Sequence, residues 1–442
     1  MSTIPMKSEV ETLSSGSASG DWLERENAVV FRGDGEPQSA DLLLGRLAEI
    51  QSESGLSPDN YSLGGSVADL ENHFAAALGK ESAIYMPTGT LANHLAIRAL
   101  CGGKPRAIVQ EQSHLYHDCG DCVTQLSGIN LVPLAKGECC FTLEELKDAV
   151  TESTSGRVLS SIGAVMIESP VRRQMGQVVS FQEMKAMTEY CRSQGIGTHL
   201  DGARLYMMSA ASGKSPREYS ALFDTVYVSL YKYFGAPYGA ILAGDTQLIE
   251  GMFHTRRMFG GGLASSYFAA GLALKGTEGF EERFGAAMQQ GRDLVQRLTT
   301  LAGVEIREFE HGSNIFPLTF ASGVDTEIVL ENLRRNQVFL YPDEGTDRIS
   351  RLTVNTTILR QANDEIFEAF EAALDLNPHV VDTWVNKGTV LWKAMEKRDE
   401  ALAAFDKALE INPNFMAAVD SRINLEAEIK ANRPSFFKRI FG

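Results

Sequence analysis

Between residues 80 and 245 the chain alternates short apolar runs with helix-like stretches, and this pattern limits what it can fold into. Short apolar runs bounded by turn residues predict buried strands. These runs are "ESAIYMP", "RAIVQEQ", "INLVPLA", "GAVMIESP", "GIGTHLDGARL", "FDTVYVSL" and "GAILAGD". Helical stretches such as "TGTLANHLAIRAL" and "FQEMKAMTEYCRSQ" separate several of them. Strands and helices in this order predict an α/β fold, with a mostly parallel sheet between helices.

Two charged residues follow strands of the predicted sheet. Asp201 comes directly after the run "GIGTHL", and Lys232 closely follows "FDTVYVSL". Sheets of this kind bind ligands outside the carboxyl ends of their strands. A buried ammonium group is costly unless it is paired or neutralised. One solution is a lysine that is not an ammonium, because its nitrogen is bound covalently to an aldehyde cofactor.

An enzyme that uses pyridoxal phosphate needs more than the lysine. It needs a carboxylate for the pyridine nitrogen, an anion site for the phosphate, a ring over the pyridine and an arginine for the substrate carboxylate. Asp201 suits the nitrogen, Gly89 and Thr90 at a predicted helix N-terminus suit the phosphate, and His114 follows a strand where a ring could cover the cofactor. The structural alternatives are a turn aspartate, a helix N-cap and a polar histidine at a strand end.

Six segments together resemble the threonine aldolases. They are "YMPTGTLANHL", "SHLYHDCGD", "HLDGARL", "SLYKYFGAP", "MFGGGLA" and "SRLTVN". This family is part of the β-eliminating lyase group of pyridoxal phosphate enzymes, which has the aspartate aminotransferase-like (type I) fold. The resemblance covers about residues 28 to 370, and the Asp-Gly-Ala-Arg turn followed by Leu-x-Lys-x-x-Gly-Ala-Pro is its most specific part.

The resemblance implies a role for each candidate residue of the cofactor site. Lys232 would bind pyridoxal 5′-phosphate covalently, and Asp201 would pair with the pyridinium. His114 would stack on the ring, while Gly89 and Thr90 would bind the phosphate.

The resemblance also assigns roles to arginines. Arg204 would lie beside the cofactor and the substrate, and Arg351 would hold the substrate α-carboxylate. The family is oligomeric, with active sites completed across a dimer interface, so we expect a homo-oligomer (a dimer or a tetramer). Arg256 or Arg257 would then reach the phosphate of a second subunit. No metal site is expected.

The chain departs from the family pattern at four places. Gly33 stands where the family usually has a serine, Tyr231 replaces the serine before the lysine, and Ala264 stands at an arginine position. The second active-site histidine has no clear match, and the nearest polar candidates are Tyr116 and His117. These departures leave the cofactor residues intact and leave the substrate open.

The resemblance implies cleavage of the Cα–Cβ bond of a β-hydroxy amino acid to glycine and an aldehyde. The alternatives with the same cofactor are β-elimination, transaldolation and racemisation. A non-catalytic scaffold is a further alternative, against which the presence of both Lys232 and Asp201 argues.

Composition and pattern divide the chain into five predicted parts. They are a flexible N-terminal arm over 1–27, a pyridoxal phosphate-binding large domain over 28–272, a small α+β domain over 273–364, a tetratricopeptide-like helical segment over 365–431 and a tail over 432–442.

The helical segment is predicted from an internal repeat. The nonapeptide "FEAALDLNP" at 370–378 recurs as "FDKALEINP" at 405–413, which resembles a tetratricopeptide repeat. Fewer than three such repeats rarely fold alone. We therefore expect the apolar residues of its helices to dock on the body, on a second subunit or on a protein partner. These residues include Trp384, Leu391, Leu402 and Phe405.

Charge and cysteine content limit the partners and the location. The formal net charge is −16, which argues against binding to nucleic acid or to anionic membranes. No apolar run is long enough to span a membrane, and the N-terminus lacks an apolar signal core, so we expect a cytoplasmic protein. The pair Cys119 and Cys122 has redox or metal spacing. We interpret the cysteines as free thiols, with a redox pair and a metal site as the alternatives.

Overall fold

A computed structural model describes residues 26–343, 346, 348–375, 381–393, 395, 397–411 and 413–431. In these residues the strands are β1 (Val29–Val30), β2 (Ser82–Met86), β3 (Arg106–Gln110), β4 (Asn130–Leu134), β5 (Ile162–Glu168), β6 (Gly197–Asp201), β7 (Thr225–Ser229), β8 (Ala240–Gly244), β9 (Val304–Ile306), β10 (Ile315–Phe320), β11 (Val338–Phe339) and β12 (Ile349–Thr353).

The α-helices of the same residues are α1 (Ala40–Glu53), α2 (Gly65–Leu78), α3 (Gly89–Cys101), α4 (His114–His117), α5 (Cys122–Ser127), α6 (Leu143–Ser155), α7 (Phe181–Ser193), α8 (Leu205–Ser212), α9 (Pro216–Ser220), α10 (Thr246–Glu250), α11 (Met252–Met258), α12 (Tyr267–Thr277), α13 (Phe280–Leu298), α14 (Thr326–Arg335), α15 (Asn363–Asp375), α16 (Val381–Lys393), α17 (Arg398–Ile411) and α18 (Met416–Ala431). Short 3-10 helices span Arg172–Gln174 and Thr356–Arg360.

The large sheet has seven strands among the described residues, in the order β2-β8-β7-β6-β5-β3-β4. β8 runs antiparallel to both of its neighbours, and the other pairs are parallel. The prediction of a mostly parallel sheet is confirmed. The central strands are apolar on both faces: Val226 and Val228 of β7 enter the main core, and Tyr227 enters the cluster on the face covered by α3.

The small α+β part contains an antiparallel sheet in the order β12-β10-β9. β9 is shorter than the strand-like run "VEIREFE". A parallel pair that the sequence analysis did not predict joins β1 to β11, with Val29 opposite Val338. This pair ties the first described residues to the small α+β part, although 28–272 was assigned to the large domain.

Helices α16, α17 and α18 bury their apolar faces against each other. Phe405 and Ala401 of α17 are fully buried in a cluster with Ala418 of α18, which in the described residues is separate from the main core. Trp384, Leu391 and Leu402 are partly buried in it. The expectation that these faces need another surface is wrong for Phe405, because its ring is already fully buried within the cluster of α16–α18. By contrast α15, with Phe370 fully buried, belongs to the main core.

Two predicted parts lie mostly outside the described residues. These are the arm over 1–27, of which only residues 26 and 27 are described, and the tail over 432–442. Among the described helices, none is both long and apolar enough to cross a membrane.

Candidate active site

A cavity of about 320 Å³ opens at the carboxyl ends of β5, β6 and β7, beside the N-terminus of α3. Six of the predicted site residues line it: Lys232, Asp201, His114, Gly89, Thr90 and Arg204. The remaining lining residues are Pro87, Thr88, Asn93, Glu168, Arg172, Ala203, Tyr227, Tyr231, Pro237, Tyr238 and Gly239. The chain topology therefore brings together residues separated by more than a hundred positions in the sequence.

Asp201 ends a chain of buried hydrogen bonds. Asn93 of α3 donates from Nδ2 to Asp201 Oδ2 at 2.6 Å, and the backbone N–H of Ala203 donates to Oδ1 at 3.1 Å. Asn93 Oδ1 lies 2.9 Å from His199 Nε2, and His199 Nδ1 lies 2.8 Å from Thr225 Oγ1. The sheet register explains this series of hydrogen bonds. His199 lies two residues before Asp201 on the same face of β6, and Thr225 is the register partner of His199 on β7.

The direction of these hydrogen bonds follows from the state of His199. Burial lowers the pKa of His199 to about 4, so the ring is neutral near pH 7. A neutral ring donates from one nitrogen and accepts at the other. Since Asn93 donates to Asp201 and its amide oxygen must accept, His199 donates from Nε2 and accepts the Thr225 hydroxyl proton at Nδ1. Asp201 is thus held as an oriented carboxylate, and Asn93 and His199 are site residues that the sequence analysis missed.

Lys232 faces both cations and carboxylates at the cavity. Burial and then the nearby Arg204 guanidinium lower its pKa to about 8, although Asp201, Asp34 and Glu168 act in the opposite direction. Arg204 Nε donates to Asp34 Oδ2 at 2.7 Å, and both side chains are largely buried. A lysine with this pKa carries a sizeable neutral fraction at neutral pH, which a nucleophilic amine requires.

The N-terminus of α3 forms a narrow wall of the cavity. Thr88 caps the helix by accepting from the Leu91 N–H at 3.2 Å, and the first helical residues are Gly89 and Thr90. A Cβ on Gly89 would lie 2.1 Å from Tyr227 Oη, so only glycine fits there. The backbone N–H groups of this first turn have no intrahelical partners and suit an anionic group.

His114 is held by two neighbours. Its backbone N–H donates to Glu168 Oε2 at 2.5 Å, and its Nδ1 lies 3.2 Å from Cys119 Sγ. The hydrogen bond with Cys119 raises the pKa of His114, against the effect of burial. The ring therefore has a fixed position at the cavity wall.

Glu168 is a further cavity residue that the sequence analysis did not single out. It ends β5, and in the sheet register it stands opposite Asp201. Burial, and then the negative charge of Asp201, raise its pKa to about 7, while the N–H groups of His114 and Arg172 donate to its oxygens. The available signal was its place as the last residue of the run "GAVMIE", equivalent to that of Asp201.

Three predicted arginines lie elsewhere in the described part of the chain, outside the lining of this cavity. Arg351 Nε lies 2.7 Å from Asp343 Oδ1. Arg256 is fully buried and donates to the backbone oxygens of Tyr85 and Ser62, a structural role within the chain. Arg257 stacks over the Tyr61 ring with 4.3 Å to its centroid. A role for either Arg256 or Arg257 in a second subunit stays a prediction.

The departures from the family pattern have clear positions. Gly33 has a φ of +78°, a conformation that favours glycine over the serine of the pattern. Tyr231 lines the cavity and is 46% exposed. His117 lies 3.3 Å from Glu111, and neither His117 nor Tyr116 is among the described lining residues.

The comparison with protein families decides the assignment. A model of the β-eliminating lyases matches residues 48–319. The chain belongs to the β-eliminating lyase family. Pyridoxal phosphate is the cofactor of this family, and the residues present fit it: a lysine of lowered pKa, an oriented buried carboxylate, and a helix N-terminus where a Cβ would not fit.

Curated relatives and solved structures agree with this family. The chain is 30% identical to a low-specificity L-threonine aldolase of Candida albicans, over 46% of this chain and 55% of the relative. It is 33% identical to the alanine racemase TOXG of Cochliobolus carbonum, over 45% and 50%. The matches thus span about half the length of these two relatives. A Listeria monocytogenes structure, provisionally assigned as an L-allo-threonine aldolase, has a TM-score of 0.67 at 29% identity, covering 80% of this chain and 99% of that chain.

Proposed function

We propose that this β-eliminating lyase family member cleaves the Cα–Cβ bond of a β-hydroxy amino acid, releasing glycine and an aldehyde. The observation that carries the proposal is the single cavity where Lys232, Asp201 and His114 meet. Relatives named low-specificity L-threonine aldolase, from Candida albicans and Saccharomyces cerevisiae, support the reaction class.

The roles of the cofactor-site residues follow from their chemistry. Pyridoxal phosphate, when bound, supplies an electron sink for the negative charge that develops at the Cα of the amino acid. Lys232 supplies the amine that holds the cofactor and later accepts or returns a proton. The Asp201 carboxylate, kept in place by Asn93, favours a proton on the ring nitrogen. His114 offers a ring of fixed position for stacking.

Cleavage of a β-hydroxy amino acid also requires a base for the hydroxyl proton. Glu168 lines the cavity, and its pKa of about 7 matches a base that works near neutral pH. We propose Glu168 in this role, in place of the Tyr116 and His117 candidates of the sequence analysis.

The substrate α-carboxylate needs a cation. Arg351 was predicted for it, and in the structure its guanidinium is paired with Asp343. Arg172 lines the cavity and is paired more loosely, with Nη1 3.5 Å from Asp118 Oδ2. We propose that one of these two arginines binds the carboxylate. Comparing Arg351→Lys with Arg172→Lys identifies which, since loss of the carboxylate contact raises KM for the amino acid.

Racemisation is the second candidate, because the alanine racemase relative is 33% identical over its matched part. Both reactions use the same electron sink and differ in the bond that is broken at Cα. A β-hydroxyl group and a base that reaches it favour cleavage, whereas a hydrogen at Cα and proton donors on both faces favour racemisation.

An assay with a panel of amino acids tests the proposal. Threonine, allo-threonine, serine and phenylserine are each incubated with the protein, and aldehyde and glycine are quantified, while L-alanine is followed by chiral chromatography. We expect aldehyde and glycine in equal amounts, and none with Lys232→Ala. Inversion of L-alanine without aldehyde release would contradict the proposed lyase activity and support racemisation. If the protein binds the cofactor but neither reaction occurs, both the lyase and the racemase proposals are wrong.

Two further proposals concern the whole protein. We propose that α16–α18 form a tetratricopeptide-like unit, supported by Gly388, where a Cβ would lie 2.5 Å from the Phe405 ring and so close packing of α16 on α17 requires glycine. We also propose a homo-oligomer in which Arg257 of one subunit reaches the site of the next. Light scattering and the cofactor affinity of Arg257→Ala test the second proposal, since an effect of this exposed arginine on cofactor binding requires a second subunit.

A further inference from the structure

The CGDC segment lies at the edge of the candidate active site. Cys119 Sγ lies 3.2 Å from His114 Nδ1 and 3.6 Å from Thr90 Oγ1. Both of these partners line the cavity. One thiol thus contacts the residue proposed to stack on the cofactor ring and a residue proposed to bind its phosphate.

The second thiol of the segment is close to the first. Cys122 follows Cys119 by three residues in a tight turn, in which the Cys122 N–H donates to the Cys119 backbone oxygen at 3.2 Å. Gly120 and Asp121 between them both have positive φ, which folds the segment back on itself. Both cysteines are free and partly exposed. The backbone therefore places the two cysteines side by side in one turn, where small thiols and disulfides can reach them.

The two thiols differ in reactivity. The hydrogen bond from Cys119 lowers the pKa of Cys122, whereas the same contact and burial raise that of Cys119. The thiolate is the nucleophile in disulfide exchange. Cys122 is therefore the attacking thiol, and Cys119 is the thiol that completes the exchange.

We propose that Cys119 is a positioning residue for His114, and that Cys119 and Cys122 form a reversible disulfide by exchange with a low-molecular-weight disulfide, which withdraws this support. The proposal rests on the proposed cofactor site. In the reduced protein, the Cys119 thiol fixes the His114 ring. His114 donates from Nδ1 to this sulfur, as the raised pKa of His114 requires. In the oxidised protein, the sulfur is bonded to Cys122 in a disulfide, which is a weaker hydrogen-bond acceptor and no longer holds the ring.

The exchange balances without a further reactant. The Cys122 thiolate attacks one sulfur of a disulfide such as oxidised glutathione, and one glutathione thiolate leaves. The Cys119 thiol then loses its proton and attacks the Cys122 sulfur of the mixed disulfide, and the second glutathione thiolate leaves. Two protein thiols are oxidised, one small disulfide is reduced, and the two released thiolates take up the two protons.

The first experiment measures the bond itself in the full-length apoprotein. The protein is incubated with oxidised glutathione, free thiols are blocked with a maleimide, and peptides are analysed by mass spectrometry. We expect a Cys119–Cys122 disulfide that dithiothreitol reverses. Cys139→Ser, which alters a partly buried thiol bonded to the Gln177 oxygen, should form it equally. Absence of this disulfide at excess oxidised glutathione overturns the proposal, whatever reaction the enzyme catalyses.

The second experiment measures the consequence for the cofactor site. Binding of pyridoxal phosphate to the apoprotein, followed by fluorescence quenching, should weaken roughly three- to tenfold on oxidation, since one hydrogen bond contributes about that factor. Cys122→Ser should show no response to oxidised glutathione. Cys119→Ser should retain more affinity than Cys119→Ala, because a hydroxyl can still bond to His114. Equal affinity of the oxidised and reduced proteins overturns the regulatory role, whereas failure of the reduced protein to bind the cofactor overturns the proposed function instead.

Discussion

At the residue scale, the candidate site brings an amine, a guanidinium and carboxylates close together in a largely buried cavity. Lys232 lies near Arg204, which is itself paired with Asp34. Burial, and then the charge of Arg204, destabilise the ammonium form of Lys232 and lower its pKa to about 8, and Asp34 compensates the buried guanidinium. The arrangement yields an amine that is reactive near neutral pH without leaving an arginine unpaired.

The state of Lys232 predicts a pH dependence of cofactor capture. Because its pKa is lowered to about 8, the neutral fraction of the amine rises as pH increases towards 8 and then levels off. The rate at which apoprotein captures pyridoxal phosphate should rise about tenfold per pH unit below this pKa. Stopped-flow absorbance between pH 6 and pH 9.5 measures it. A rate that continues to rise up to pH 9.5 would show an ordinary lysine pKa.

The hydrogen-bond chain behind Asp201 predicts an effect at a distance. Asn93→Leu removes the donor to Asp201 Oδ2 and leaves buried partners unsatisfied, which costs about 1–3 kcal/mol. We expect cofactor affinity to fall about tenfold or more. His94→Gln is the matched control, because His94 is the neighbouring buried residue of α3 and bonds to Ser127 instead. Equal losses in both variants would indicate a general effect on α3 rather than on Asp201.

At the scale of elements, the site is built where three parallel strands end beside one helix. Glu168, Asp201 and Tyr227 are register partners on β5, β6 and β7. Because residues in register on neighbouring parallel strands point to the same face, this alignment presents two carboxyl groups and a phenol to α3. The first turn of α3 completes the site. It can approach Tyr227 of β7 this closely only because Gly89 has no side chain.

Gly89 predicts how tightly α3 must approach β7. In Gly89→Ala the added methyl group would lie 2.1 Å from Tyr227 Oη, so the helix or the tyrosine must move. We expect Gly89→Ala to bind both pyridoxal phosphate and inorganic phosphate more weakly than the unchanged protein does. Gly285→Ala is the control, because no atom lies within 4 Å of its Cβ position in α13, and a helical alanine is about 0.5–1 kcal/mol better than glycine. Unchanged affinity in Gly89→Ala would contradict the assignment of the phosphate site to the N-terminus of α3.

At the scale of the whole molecule, the apolar cluster of α16–α18 is separate from the main core in the described residues. The main core includes one face of the large sheet, the small α+β part and α15, while α16–α18 share their own cluster. The helix α15 packs with the body, since its Ile366 and Phe370 are fully buried in the main core, although the sequence assigned residues from 365 onward to the helical segment.

Removal of α16–α18 should therefore spare the site. Truncation after residue 378 leaves the main core and the described cavity residues in place, so cofactor affinity should stay within about twofold of that of the full chain. Light scattering of the two proteins then tests the oligomer. A smaller assembly after truncation shows that the segment connects subunits, whereas loss of cofactor binding would contradict the separation of the two cores.

The sequence by itself determined the class of fold, and it named most of the predicted site residues that meet at the cavity. Strand-like runs bounded by turns encode their own secondary structure, and Asp201, Lys232, His114 and Gly89 stand at the ends of such elements. A parallel sheet collects strand ends at one edge, so their proximity follows from local pattern alone.

Only the tertiary structure decided what surrounds these residues. Register placed Glu168 beside Asp201, packing of α3 brought Asn93 to it, and the fold-back of CGDC set Cys119 against His114. It also paired β1 with β11 and buried Phe405 within the cluster of α16–α18. Such contacts join residues far apart in the chain or depend on a single hydrogen bond. Hydrophobic periodicity does not predict these contacts, because it specifies which face of an element is buried but not which element covers that face.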